Sequence, residues 1–464
     1  MQRWAGMGRF LIGTTLFAAA AAIAVPVAET DFWQPKDSKD QEAYVNEPMP
    51  PGVKVVPTEL DGPLFATAEG KTLYTWPLSG LRNGNAGDRH KSGVATCDDK
   101  IYRETSGLMS PYPGGFLLPD ADTRKSCEQR WSPLLAPKDA QEVDKWTVVK
   151  RTNGQSQWAY DGYPVYTSDL DRKPGDVLGG SRRGTGGESG AQRVPVGPPP
   201  DVPPELAVVD SRTGRMLTDH KGYSVYFSDA DEPGKSNCYG DCLETWNPVL
   251  APLTAKPQGE WTILERSPGI RQWVYRGRPL YTYIPEERGR ILGSDVPGWH
   301  NVYTQRSLLP PAEFTVQDSR IGQVLADSRG HTLYVYNCND DAIDQQSCNH
   351  PSEPQEYRLA ICGNFDPKVC RETFPYVPAS AGARADSELW TVVTIDQDTG
   401  RFAEPGQPNA VQVWAYRDRP VYTYHGDLKP GDANGDSFGE FNGARNGFKA
   451  FWIRDDFRNN VFGR

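Results

Sequence analysis

Gln272-Trp273-Val274-Tyr275-Arg276-Gly277-Arg278-Pro279-Leu280-Tyr281-Thr282-Tyr283 is the stretch on which the reading of this chain turns. Large residues alternate with others on either side of Arg276-Gly277-Arg278, the period of two that puts successive side chains on opposite faces of a strand. The Gly-centred triplet between them is a tight-turn signal, and Asp161-Gly162-Tyr163 repeats it earlier in the chain. Working outward, a first apolar run ends in turn residues, a second short run follows, and a third carries the tyrosine. That order predicts a three-stranded antiparallel meander.

The same meander recurs. Three long units overlay, opening at Val53-Lys54-Val55-Val56, at Val208-Val209-Asp210-Ser211 and at Val316-Gln317-Asp318-Ser319. Each unit has a second half that begins at Trp146, Trp261 or Trp390, passes a second tryptophan (Trp158, Trp273, Trp414) and ends in Pro-Val/Leu-Tyr-Thr. Tyr74, Tyr166, Tyr226, Tyr281, Tyr334 and Tyr422 therefore fall at one equivalent place in six half-units. Self-similarity at this spacing implies stacked supersecondary units. The expected fold is all-β: six repeated three-stranded antiparallel meanders, arranged either like a propeller or as three tandem β domains. The expected divisions are a leader 1–28, an N-terminal linker 29–52, unit one 53–174, a Gly/Pro-rich linker 175–204, unit two 205–307, a short linker 308–313, unit three 314–455 and a tail 456–464. The Gly, Arg and Pro content of 175–204 tilts the choice toward separable units.

Composition agrees. The 464 residues include 46 Gly, 40 Pro, 21 Tyr and 13 Trp, as frequent turns between short aromatic strands require. Fifty Lys and Arg stand against 60 Asp and Glu, a net charge of −10; removing Met1–Ala28 takes away two arginines and no acid and leaves −12. Nucleic acids and anionic membrane surfaces reward clustered cations, so neither is an expected partner. Arg3 and Arg9 precede an apolar stretch from Phe10 to Val25, and small residues offer cleavage after Ala24 or after Ala28. This is the three-part pattern of a secretory signal peptide, with a retained anchor as the alternative. Nothing later in the sequence is apolar for long enough to span a bilayer.

With these residues in place, the chain resembles the bacterial secreted-repeat family, also called predicted lipoproteins, marked by a Tyr-x-aromatic-x-x-Asp motif. Tyr422-Thr-Tyr424-His-Gly-Asp427 matches in full, and Tyr281-Thr-Tyr283-Ile-Pro-Glu286 has Glu for the acid. Tyr166…Asp171 and Tyr226…Asp231 keep the acid and lose the aromatic, whereas the Tyr74 and Tyr334 copies end at Ser79 and Asn339. Pro233–Cys242 with Trp246-Asn247-Pro248, and Lys429-Pro430-Gly431-Asp432, extend the likeness. The resemblance implies export and a repeat fold, and carries no assigned biochemistry. No cysteine stands at the cleavage region to take a lipid.

Eight cysteines in an exported chain point to four disulfides. Cys127, Cys242 and Cys370 each precede an aromatic residue (Trp131, Trp246, Phe374) by four positions, which suggests Cys97, Cys238 and Cys362 as their partners and leaves Cys338 with Cys348. Spacing alone keeps other connectivities open. Cys238 with Cys242 also has the look of a dithiol pair, though such a site needs further ligands or a lowered thiol pKa. Asp432, Asn434 and Asp436 place oxygens at alternating positions as calcium loops do, but Ser437 and Gly443 occupy the places of an EF-hand's Gly and Glu. Asp in Pro-Gly turns more often caps its own backbone. No cofactor is expected; a metal ion at these acidic turns is the one candidate.

His90, His220, His300, His331, His350 and His425 fall at unrelated repeat positions. No Gly-x-Ser-x-Gly, His-Glu-x-x-His or phosphate loop occurs. The expected function is that of an exported, non-catalytic binding or scaffold protein with a protein or glycan partner outside the cytoplasm. The insert loops Arg82–Glu128 and Cys338–Cys370 are its expected specific surfaces. The alternative is a metal-binding accessory of a periplasmic redox or enzymatic system.

Overall fold

The computed structural model describes residues 24–38, 40–75, 97, 99–101, 103–104, 115–118, 121–180, 194–337, 349–439 and 447–453. It is an all-β structure of small antiparallel sheets, as the meander pattern predicts. In unit two, Trp261–Ser267 pairs with Ile270–Tyr275, which pairs with Arg278–Pro279. Arg276 and Gly277 turn the chain with positive φ (47° and 78°), and unit one turns the same way at Asp161 and Gly162 (48° and 83°). Two consecutive residues in the left-handed region match a two-residue hairpin to the twist of its strands.

The third strand does something the meander pattern leaves open. After pairing with its own hairpin it continues into a second sheet, where its tyrosine lies opposite the tyrosine of the other half-unit. Tyr74 faces Tyr166, Tyr226 faces Tyr281, and Tyr334 faces Tyr422, each as a direct cross-strand pair. In unit two this sheet has the order Trp246–Pro248, Tyr281–Tyr283, Val225–Ser228, Trp299–Asn301. Unit one repeats it with Trp131–Pro133, Tyr166–Ser168, Tyr74–Thr75, Val194–Pro195. In unit three the strand Arg419–Tyr422 is continuous and fuses hairpin and sheet into five strands. The six meanders are thus joined in pairs through their tyrosine strands, and this pairing is not that of six separate blades in a ring.

Two segments expected to be linkers are partly built into the units. Val194–Pro195 is the edge strand of the unit-one tyrosine sheet, and Val177 packs in that unit's core. Residues 25–47 form a strap across all three units. Val25 and Pro26 pair with Val316 and Thr315 of unit three, and Val27 and Trp33 join a core cluster with Phe314, Trp390 and Phe451. Farther on, Glu42 receives the Nε of Arg215 at 2.8 Å in unit two. Glu47 then meets Lys145 and accepts from the Tyr160 hydroxyl (2.7 Å) in unit one. Pro and polar residues give such a segment no strand periodicity, so its sequence reads as linker while tertiary contacts hold it.

The helices Glu356–Gly363 and Pro367–Thr373 also fall outside the meander pattern. Asp366 caps the second through the Lys368 and Val369 amides, with Pro367 at its first position, a local start signal that overrides the surrounding β context.

Candidate functional site

The repeat motif is best followed from its tyrosines. All six are buried to 2% exposure or less. A buried phenol needs a partner for its hydroxyl. For Tyr74, Tyr226, Tyr281 and Tyr334 the partner is the motif acid of the opposite half-unit. The Tyr74 hydroxyl donates to Asp171 Oδ2 at 2.8 Å, Tyr226 to Glu286, and Tyr334 to Asp427 Oδ2 at 2.6 Å. Unit two closes the exchange in the other direction as well, since Tyr281 donates to Asp231 Oδ2 at 2.8 Å. The aromatic-x-x-Asp spacing therefore places an acid under its neighbour's tyrosine.

Each acid is further held by the loop that follows it. Glu286 accepts from the amides of Ser224 (3.2 Å), Leu292 (2.7 Å) and Gly293 (3.1 Å). Asp171 takes the Leu178 amide at 2.8 Å and Asp427 the Asn434 amide at 2.8 Å. Gly293 and Gly435 also donate to the hydroxyls of Tyr226 (3.1 Å) and Tyr334 (3.2 Å). The close approach explains these glycines: a Cβ at Gly293 would lie 2.7 Å from the Tyr226 ring, and one at Gly435 3.0 Å from that of Tyr334.

Burial dominates the electrostatics of these pins. It raises the pKa of Asp171 to about 7, against the lowering effect of the Leu178 amide and the Tyr74 hydroxyl. It raises Glu286 and Asp427 as well, opposed by their tyrosine and amide donors. The Tyr74, Tyr226 and Tyr334 phenols are pushed up by burial and by the neighbouring carboxylates. Phenols held protonated beside such acids act as donors, not as nucleophiles.

The cysteines complete the pattern. Cys97 is bonded to Cys127, Cys238 to Cys242 and Cys362 to Cys370. Cys338 and Cys348 lie outside the described residues. In each unit the aromatic four residues after the second cysteine meets the pin tyrosine edge to face: Trp131 on Tyr74 at 5.3 Å, Trp246 on Tyr226 at 5.4 Å and Phe374 on Tyr334 at 5.9 Å. The staple sits directly beside the pin.

The Asp-rich turn is occupied from within. Asp432 Oδ2 accepts the Leu428 and Lys429 amides at 3.0 and 3.2 Å, and Asp436 Oδ1 accepts from Ala450 at 3.0 Å. Asn434 gives its side-chain amide to the Gly426 carbonyl at 3.1 Å. Asp176 caps the equivalent turn of unit one through Arg172 and Lys173. The three residues thus face separate backbone groups, and among the described residues no group of three His, Cys, Asp or Glu is arranged to hold a metal ion.

What the tyrosine pattern could not reveal is the junction between units. The turn Thr58–Gly62 of unit one is inserted there. The Gln305 side-chain amide of unit two donates to the carbonyls of Thr58 (2.6 Å) and Glu59 (2.8 Å). Glu59 Oε1 accepts from Ser307 of unit two (2.7 Å) and from Ser387 of unit three (2.5 Å). Its pKa is raised by burial, with those hydrogen bonds working the other way. Asp61 and Arg417 form an ion pair at 2.7 Å in which each side chain is 1% exposed. Beside them opens a cleft of about 540 Å³ lined by Lys36, Asp40, Arg172, Asp176, Glu388 and Asp418. A second, of about 480 Å³, lies between the strap and unit two, with Phe32, Phe227, Arg278, Trp299 and His300 in its wall. Each of these residues is unremarkable in its own segment, and only the packing brings them together.

Of the two insert loops, most of Arg82–Glu128 and residues 338–348 lie outside the described residues. The described part of the second, from Asn349, contains the helix Glu356–Gly363 and the start of the helix Pro367–Thr373.

These features define a class: a disulfide-stapled β-repeat protein whose repeat motif pins paired half-units together. Three segments of the chain, residues 147–181, 207–250 and 411–446, match the family model of a secreted repeat of unknown function. Those spans fall on the second half of unit one, the first of unit two and the second of unit three, so the matched element is the half-unit. No curated protein and no solved structure matches the chain. Family and disulfides together place the protein outside the cytoplasm, extracellular or periplasmic. Among the described residues no helix is long and apolar enough to cross a membrane.

Proposed function

We propose that this protein is a non-catalytic binding scaffold for a protein or glycan outside the cytoplasm, and that partners engage the clefts where the strap and the three units meet. One observation carries the reading. Tyr74, Tyr226 and Tyr334 and the motif acids they reach are buried and bonded to one another, so the most regular chemistry of the chain goes into rigidity. Groups able to meet a ligand then lie at the clefts, where exposed Lys36, Arg172 and Arg278 stand beside aromatic and acidic neighbours. Rigid frames that present surface groups bind with little ordering cost.

The test is photo-crosslinking in the export compartment, with the reactive side chain at Arg172 or Arg278 and, as control, at exposed Leu253, which lines neither cleft. Adducts at the cleft positions and not at the control support the proposal. Equal labelling, or none in cells where the protein is made at its natural level, counts against it.

A further inference from the structure

We infer that the bond between Ala24 and Val25 is the processing site at which the leader is removed, so that the exported protein begins at Val25. The sequence offers two cuts, after Ala22-Ile23-Ala24 and after Pro26-Val27-Ala28, and each has alanine immediately before the bond. The first has the Ala-x-Ala pattern and the second has Pro26 in the place of its first alanine. The fold distinguishes them.

Val25 and Pro26 form a strand beside Thr315–Ser319, with Val25 opposite Val316 and Pro26 opposite Thr315. Val27 is 2% exposed and belongs to the core cluster of Phe314, Val316, Leu325 and Phe451. Its carbonyl accepts the Thr30 hydroxyl at 2.8 Å, which closes the short helical turn Val27–Glu29. A cut after Ala28 would delete that strand, empty the Val27 site in the core and remove the acceptor that holds Thr30. A cut after Ala24 removes none of them. Ala24, Ala28 and Glu29 are all exposed, so what separates the two cuts is the loss of Val25–Val27 from strand and core. The first site therefore leaves the strap whole and the second shortens it at its unit-three end.

The step is a peptide hydrolysis by the peptidase of the export pathway. Water supplies the hydroxyl to the Ala24 carbonyl and a proton to the Val25 nitrogen. The leader leaves with a new carboxylate, and Val25 keeps a new ammonium at the start of the strand. The inference rests on reading the first residues as a leader, and the experiment separates failure of that reading from failure of the site.

The full chain is produced in a bacterium that exports it, recovered from the export compartment, and subjected to intact-mass measurement and N-terminal sequencing. The expected product begins Val-Pro-Val-Ala-Glu-Thr. A product beginning at Glu29 overturns the site while leaving the leader reading intact. A product that keeps Met1 through Ala24 overturns both. Two variants sharpen the result. Ala24→Leu should leave most of the chain in the precursor form, whereas Ala28→Leu should be processed as wild type. The reverse pattern defeats the proposal. A chain lacking Val25–Ala28 behind an unrelated leader should be exported with a Tm several degrees lower; an unchanged Tm would remove the structural reason for preferring Ala24.

Discussion

Unit two and its neighbours handle the same motif differently. In unit two the exchange is reciprocal: Tyr226 reaches Glu286 in the second half, and Tyr281 reaches Asp231 in the first. Among the described residues, units one and three show one direction of it, Tyr74 to Asp171 and Tyr334 to Asp427. Their first-half motifs end at Ser79 and Asn339, and in unit three the ring of Tyr422 instead has the buried Arg358 guanidinium 5.7 Å from its centre. The units with incomplete exchange are also those joined by buried ion pairs, Arg417 with Asp61 and Arg130 with Glu353. Units one and three are thus tied to each other through buried charge, whereas unit two is pinned in both directions within itself.

That contrast can be broken at the junction first. Arg417→Ala leaves Asp61 buried without its cation, a change that costs about 3–5 kcal/mol. In domain-resolved hydrogen exchange, units one and three should lose protection while unit two keeps its own. Uniform loss across all three would show that unit two is not independent. The Asp61→Leu, Arg417→Met pair should recover most of the loss, and its failure to do so would mean the charge is needed for more than pairing.

The staples come next. Replacing both Cys97 and Cys127 by Ser opens a loop of 30 residues' separation, and the chain-entropy relation gives about 3.5 kcal/mol; the four-residue separation of Cys238 and Cys242 gives about 2 kcal/mol. Denaturant titration should rank them in that order, and a larger loss at Cys238 would point to a role beyond the loop.

Within unit two, Glu286→Ala strands the Tyr226 hydroxyl and three amides in a buried site, for about 3 kcal/mol, whereas Asp231, half-buried, should give about 1 kcal/mol when replaced by Ala. Equal effects would mean the two pins are equivalent after all.

The smallest expected effect is on pH. Because burial raises the folded-state pKa of Asp171 to about 7 and that of Glu286 and Asp427 above their ordinary values, these acids favour folding most at or below the unfolded carboxyl range near about pH 4. Their contribution falls as pH rises, for Asp171 until about 7. The urea midpoint should therefore be higher at pH 5 than at pH 7.5, and Asp171→Asn should flatten the difference. A midpoint that rises with pH through this window would refute the assignment.

The strands and the equivalence of six tyrosines were legible because period-two alternation and Gly-centred turns are local. The aromatic four residues after each second cysteine was legible as a repeat, though its contact with the tyrosine was not. Which acid serves which tyrosine could not be read, since Glu286 lies five residues from Tyr281 yet bonds Tyr226. The junction and the strap were hidden for a related reason. Glu42, Glu59, Asp61 and Arg417 carry no periodic signal, and each finds its partner hundreds of positions away in the chain or in a different unit.

The strap also constrains how such a chain can be assembled. Synthesis makes the amino-terminal residues first, yet Val25 pairs with Val316, and Glu42 and Glu59 await Gln305 and Ser387. Contacts of that sequence separation close slowly and only after the intervening chain exists. The first residues made are thus among the last to find their places, and a chain without its final unit would leave Val25 without its strand partner.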